Sequence, residues 1–298
     1  MREILSHATF GAASAMLQRS SHAVVIPFQL VAGLILVAVS WPLNWLLDGL
    51  RTQLLFFPLW LGYVLTVDGI VFWQHGSSLL TRSRAGFLRL FVVSIAAWWL
   101  FELLNLRVAN WNYVGREYFS DLEFALLGSL SFSTVIPAVF ETADLIYGAS
   151  WIQRATHGRA FGVTRQLLLR WFMLGLVLLG LLITFPKYCY PLTWISLLFL
   201  FEPVCRKLGT RSLLTHLEQG DWRPVISLAL GAIICGFFWE MWNYWSYPKW
   251  VYSTPGVGVL YLFEMPAVGY LGYLPFGLEL YAMTAMTLRE PIRIFENR

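Results

Sequence analysis

The chain has 298 residues, of which 58% are apolar and only 13% carry a charge. An average soluble domain carries roughly twice that charged fraction, and a globule of this length still needs a polar exterior. Together with a mean hydropathy of +0.62 and 15 Trp, this composition excludes a soluble globular domain, a disordered chain and a string of small extracellular modules. The expectation is an all-α, polytopic integral membrane protein.

The first 22 residues are mildly amphipathic, and no small-residue cleavage site follows the first apolar run, so no cleavable signal peptide is expected. A span needs about 20 apolar residues. Such runs predict eight helices, over 23–47, 54–73, 87–106, 122–147, 166–186, 189–205, 224–246 and 258–287, the sixth of them short. A barrel would show segments of about ten alternating residues. Runs such as Leu167–Leu182 do not alternate, which leaves helices as the way to satisfy the backbone in lipid.

Of the 21 Lys and Arg, 16 fall at the N-terminus and after spans 2, 4, 6 and 8, and 5 on the other side. Both termini are therefore expected in the cytoplasm, in a multi-pass protein of the bacterial inner (plasma) membrane. The net charge of +4 is explained by this topology, and no nucleic-acid partner is expected. Cys189, Cys205 and Cys235, odd in number and without CxxC spacing, give no disulfide framework and read as small core residues.

The strongest signal is self-similarity. Trp60, Asp68 and Ser78-Leu79-Leu80-Thr81 recur 134 residues later as Trp194, Glu202 and Ser212-Leu213-Leu214-Thr215. Glu102 and Asn105 recur as Glu240 and Asn243, and Trp111-x-Tyr113 as Trp250-x-Tyr252. Glu123 and Gly128 match Glu264 and Gly269, and Pro137-x-x-x-Glu141 matches Pro275-x-x-x-Glu279. The shared residues are carboxylates, amides and prolines, which generic apolar likeness does not explain. The organisation expected is two four-helix repeats, over 1–150 and 151–298. With four spans each, the halves share one orientation, related by a two-fold axis along the membrane normal.

A carboxyl inside a bilayer costs several kcal/mol, about 2.5–3.5 at the centre by the lower estimates. The chain nevertheless keeps Asp68, Glu102, Glu141, Glu202, Glu240 and Glu279 within predicted spans, with Glu123 and Glu264 at span entrances. Glu102 and Asn105 share one helix face, as do Glu240 and Asn243, so the amide is expected to orient the carboxyl. Trp111 and Tyr113 roof the first cluster; Trp239, Trp242, Trp250 and Tyr252 surround the second. Glu264 is expected to approach the cavity of Glu240, since two carboxyls in one poorly solvated site divide into a proton donor and a stabilising charge. The competing structural reading makes these acids helix-end caps beside an interfacial aromatic belt. Glu141 and Glu279 each follow a proline by one turn and are read either as ligand-binding or as donors to backbone freed by that proline.

GxSxG, P-loop and GxGxxG motifs are absent, so acyl transfer, nucleotide hydrolysis and dinucleotide binding have no support. The five His lie at the N-terminus or the cytoplasmic side without ligand spacing; no metal and no cofactor are expected. The order Glu102…Trp111-x-Tyr113…Glu123, repeated as Glu240…Trp250-x-Tyr252…Glu264, resembles the small membrane-helix lycopene cyclases, including their tandem-domain forms. The resemblance covers 25–40 residues per half, lacks that family's Pro-x-Glu-Glu signature, and meets four spans per half where that domain has three. It implies proton-initiated rearrangement of an isoprenoid with a glutamic acid as donor. Three readings stand: an intramembrane cyclase or isomerase acting on a hydrophobic small molecule or membrane lipid, a transporter or proton/cation conductor using the paired carboxyls, and a non-catalytic assembly protein.

Overall fold

The computed structural model describes residues 26–154, 158–288 and 294–295. The amphipathic N-terminal segment, part of the basic connector between the halves and most of the basic C-terminal tail lie outside the described residues. Helices α1 (Phe28–Leu46) and α2 (Thr52–His75) form an antiparallel pair. Their backbones approach closely: a Cβ on Gly33 would lie 2.4 Å from the Thr66 nitrogen, the small-residue contact that lets helices associate where water supplies no hydrophobic drive.

The short α3 (Leu79–Arg82) leads into α4 (Arg84–Val108), strand β1 (Trp111–Val114), α5 (Asp121–Phe132), α6 (Val135–Tyr147) and α7 (Ser150–Arg154). The second half continues with further helices and short strands. Helix α8 (Arg165–Thr184) is followed by α9 (Pro186–Cys189), a 3-10 turn (Tyr190–Trp194) and α10 (Ser196–Leu208). Then come α11 (Leu213–Glu218), α12 (Arg223–Tyr244), β2 (Lys249–Tyr252), the hairpin β3 (Tyr261–Leu262) and β4 (Met265–Pro266), and α13 (Tyr273–Thr287).

Six of these helical stretches, counting α5 and α6 as one, are long and apolar enough to cross a membrane; a seventh arises if the bent segment 186–208 is one span. Two of the eight predicted spans thus take other forms. The sixth bends by 40° at the 3-10 turn, where Pro186 and Pro191 each remove a backbone donor. The eighth is helical only from Tyr273. Its apolar first part folds as the β3–β4 hairpin and a 3-10 turn, with Gly256 at φ +83° and Phe263 at φ +60°. Apolar character marks burial in lipid or protein without separating a helix from a hairpin.

The outer faces are apolar, and the apolar interior contains several acids. Leu34, Ile35 and Val39 of α1, Leu88 and Val92 of α4, and Met173, Leu176 and Val177 of α8 are exposed. Asp68, Glu141, Asp144, Glu202, Glu240 and Glu279 are buried. A fold bathed in water has the opposite arrangement.

Two helices near the ends of the halves make corresponding contacts. Helix α6 packs on α2, α4 and α12, while α13, in the matching place, packs on α10, α12 and α4. Strands β1 and β2 pair antiparallel, with Trp111 opposite Tyr252, Asn112 opposite Val251 and Tyr113 opposite Trp250. Directly opposed residues in such a ladder are about 4.5–5.5 Å apart at Cα, within reach of a disulfide. The double variant Asn112→Cys with Val251→Cys should therefore form an intramolecular cross-link on mild oxidation, read as a mobility shift that reductant reverses and neither single variant shows. A folded double variant that stays unlinked would mean the strands do not pair.

Candidate functional site

The paired strands close one end of the helix assembly. Each is held to the helix before it by an asparagine. Asn105 accepts from the backbone nitrogens of Asn110 (2.8 Å) and Trp111 (3.3 Å) and donates to the Trp111 carbonyl (2.8 Å). Asn243 accepts from the Trp250 nitrogen (3.0 Å) and donates to its carbonyl (2.7 Å). Both amides are thus spent on the strand backbone and neither touches a carboxyl, contrary to the expectation from their helical spacing. One turn nearer the strand, they meet main-chain groups that have no other partner on that side.

The carboxyls find phenols and indoles instead. The Oε1 of Glu102 accepts from Trp98 Nε1 (3.0 Å), Trp111 Nε1 (3.1 Å) and the Tyr113 hydroxyl (2.5 Å). The Oε1 of Glu240 accepts from the Tyr252 (2.7 Å) and Tyr273 (2.8 Å) hydroxyls, and Trp250 Nε1 donates to the Tyr252 oxygen (2.9 Å). Tyr113 and Tyr252, on the strands, have pKa values well above the usual phenol range, first because they are buried and then because Glu102 and Glu240 stand beside them. They therefore remain protonated donors.

The halves differ in one paired exchange. Where the first has Trp98 one turn before its acid, the second has Gly236, whose added Cβ would lie 2.3 Å from the Tyr273 ring. Tyr273 fills the space that an indole occupies in the other half and supplies the missing donor to Glu240.

Beneath the ribbon lies one cavity of about 180 Å³, lined by both halves. Its walls include Trp98, Trp111, Trp194, Trp239, Trp250 and Phe276, with the rings of Tyr113, Tyr252 and Tyr273 between it and the two acids. Buried Trp60 backs this wall, its ring 5.1 Å from Trp239, and Trp194 stacks on Trp111 at 5.7 Å. Of the residues singled out in the sequence, Glu102, Glu240, Trp111, Tyr113, Trp239, Trp250 and Tyr252 come together here. Trp98, an aromatic flanking Glu102 in the sequence, joins them, while Trp194, Tyr273 and Phe276 belong to the same site without having been singled out for it. The exchange of Trp98 for Gly236 was the available signal, and its meaning needs Tyr273 in place.

The other singled-out residues lie elsewhere. Glu123 closes a capping box with Ser120 at the exposed start of α5, as the structural reading had it. Glu264 is not part of the cavity lining; it forms an ion pair with Lys249, which does line it, and stands near enough to Glu240 for their charges to interact. Trp242 packs on Trp60, 4.9 Å away, behind the cavity. Glu279 accepts from the backbone nitrogens of Leu197 (2.7 Å) and Leu198 (3.2 Å), the first turn of α10. Glu141, its match, is buried beside Asp68, Asp144 and Arg82 and, among the described residues, receives no backbone N–H, because α2 runs unbroken at the matching place. The proline reading fails for both: Pro137 and Pro275 are each the third residue of their helix, where little helical bonding is lost.

Removing the strand anchors has a defined cost. Asn243→Ala and Asn105→Ala should each destabilise the protein by about 1–3 kcal/mol through unpaired strand backbone, measured by denaturant or thermal unfolding in detergent; no change in either would show that the asparagines do not hold the ribbon. The chain matches no protein-family model, and no curated protein or solved structure is significantly similar to it, so its likeness to the cyclases rests on the order of its motif residues alone.

Proposed function

We propose that this chain is a multi-pass membrane protein, built of two tandem repeats over 1–150 and 151–298, that binds a hydrophobic ligand of the isoprenoid or polyene kind beneath the ribbon and acts on it with Glu240 as the acid. The repeat reading is supported by matched bonding: Asp68 accepts from Ser78 Oγ and the Leu80 nitrogen, and Glu202 from Ser212 Oγ and the Leu213 and Leu214 nitrogens. The strand register is symmetric about the Asn112–Val251 pair, which fits a two-fold axis through the ribbon, with the ribbon on the outer side of the membrane and both termini on the other.

One observation carries the functional reading: the Tyr252 and Tyr273 rings line the aromatic cavity while their hydroxyls rest on Glu240 behind them. For catalysis a phenol hydroxyl turns from the Glu240 carboxyl toward the cavity; protonated Glu240 then passes a proton to the phenol oxygen as the phenol gives its own to an alkene carbon of the ligand. The cation so formed lies among indole faces, which attract positive charge. Loss of a proton from a carbon beside the cation to the phenol oxygen, as the phenol returns its own to the Glu240 carboxylate, restores the acid. The net change is an isomerisation, or a ring closure where a second alkene of the ligand first attacks the cation. Glu102, behind Tyr113, is the matching acid of the first half.

Mass spectrometry of lipid extracted from the purified protein should reveal a co-purifying isoprenoid or polyene. With that lipid as substrate, Glu240→Gln should retain binding and lose turnover by about 10² or more. Unchanged turnover in both Glu240→Gln and Glu102→Gln would reject the site as the chemistry.

A second reading, proton or cation movement, draws on Glu141. Its charged neighbours are Asp68, Asp144 and Arg82, and Arg82 is ion-paired with Asp144, all at the end away from the ribbon. Under this reading, Glu141→Gln would abolish an ion-coupled flux across proteoliposomes that Glu240→Gln leaves intact.

A further inference from the structure

A second, polar cavity of about 400 Å³ opens beside the aromatic one, lined by Arg51, Lys249, Glu264, Tyr244, Trp245 and Tyr247 among others. The two share a wall. Lys249 lines both, and Thr52 and Pro248, the chain neighbours of Arg51 and Tyr247, line the aromatic side. The wall is tied together by the Tyr247 nitrogen donating to Thr52 Oγ1 at 2.8 Å.

The charges of this vestibule do not cancel. Arg51 donates to the carbonyls of Asn44 (2.6 Å), Gly49 (3.2 Å) and Trp245 (2.8 Å). These contacts fix its guanidinium, leave two of its five N–H donors uncommitted and bring it no carboxylate among the described residues. Lys249 donates to Glu264 and to the Tyr244 carbonyl (3.2 Å), leaving its third N–H for another acceptor. Two cations thus face one carboxylate, and the Lys249–Glu264 pair is partly open, with side chains 25% and 22% exposed. The pair is open enough for an incoming anion to reach Lys249 and compete with Glu264 for it.

We propose that the ligand is an amphiphile whose anionic head group sits on Arg51 and Lys249 in the vestibule while its apolar chain enters the aromatic cavity past Lys249. The inference rests on the reading of that cavity as a hydrophobic ligand site, and it narrows the ligand to chains ending in a phosphate or a comparable anion. Neutral hydrocarbons satisfy the cavity but leave the Arg51 donors and the net positive charge unanswered. Inorganic phosphate satisfies the cations but not the indoles.

The cavity indoles supply the measurement. A bromine-tailed alkyl phosphate should quench tryptophan fluorescence of the full chain at a concentration lower by about tenfold or more than the matching bromine-tailed alcohol, the advantage of a charge-assisted hydrogen bond. Arg51→Gln and Lys249→Gln should each erase that preference while the alcohol still quenches. Lys249→Arg should keep it, and Glu264→Gln, which frees Lys249 from its competitor, should enlarge it. The last two variants decide the matter even if the charge-removing ones do not fold, because a mere loss of structure cannot strengthen binding. Equal quenching by phosphate and alcohol, or no change in Glu264→Gln, overturns the head-group assignment and leaves the aromatic site standing. Protection from thermal unfolding by inorganic phosphate at the same concentrations as the alkyl phosphate overturns the amphiphile. Quenching by neither brominated probe overturns both the cavity reading and this inference.

Discussion

A carboxyl group removed from water must find its hydrogen-bond donors inside the protein, and nearly every irregular feature of this fold lies where such donors are supplied. Asp68 and Glu202 draw in the starts of α3 and α11, Asp68 through a serine hydroxyl and one main-chain nitrogen and Glu202 through a serine hydroxyl and two. Glu279 meets the first turn of α10, exposed by the bend at Tyr190–Trp194. Glu102 and Glu240 gather indoles and phenols from the strands that leave their own helices. An unmet buried donor or acceptor costs about 1–3 kcal/mol, and a charged one more. Loss of a donor is therefore costly, which ties each acid to the element that supplies it.

That constraint explains where the halves diverge. The second half breaks the helix opposite Glu279 and so provides its donors, whereas α2 continues past Glu141 and, among the described residues, brings it no backbone donor. The first half feeds Glu102 from Trp98 on the same helix, while the second uses Gly236 to admit Tyr273. Each departure changes which group serves the acid and keeps the acid itself. The divergence also makes the two sides of the cavity unequal: the phenols of Tyr252 and Tyr273 stand before Glu240, while Tyr113 alone stands before Glu102.

Aromatic side chains have a second task here. The indoles that donate to carboxyls at their edges present their faces to the cavity, so one residue both satisfies an acid and shapes an apolar surface. Trp111 does this directly, and Trp250 does so through the Tyr252 hydroxyl. A rigid ring with one polar atom suits the boundary between a buried charge and a hydrophobic space, whereas a flexible polar side chain would bring water with it.

The sequence alone was enough to determine the helical class, the apolar segments and the matched acids, because each depends on composition or on residues repeated at a fixed interval. It also marked Glu102, Glu240 and the aromatic pairs Trp111/Tyr113 and Trp250/Tyr252, since polar groups in apolar runs are costly and stand out. Spacing misled where it implied contact. Asn105 and Asn243 share a face with their acids yet turn to the strands, and Glu264, matched to Glu123, is held by Lys249. Only the tertiary structure decided that β1 meets β2 and that one cavity lies between the halves, with Tyr273 in the place left open by Gly236. Those outcomes depend on which donor lies nearest a buried acceptor once helices distant in sequence are packed together. A linear pattern shows that a carboxyl needs partners; only packing settles which ones it finds.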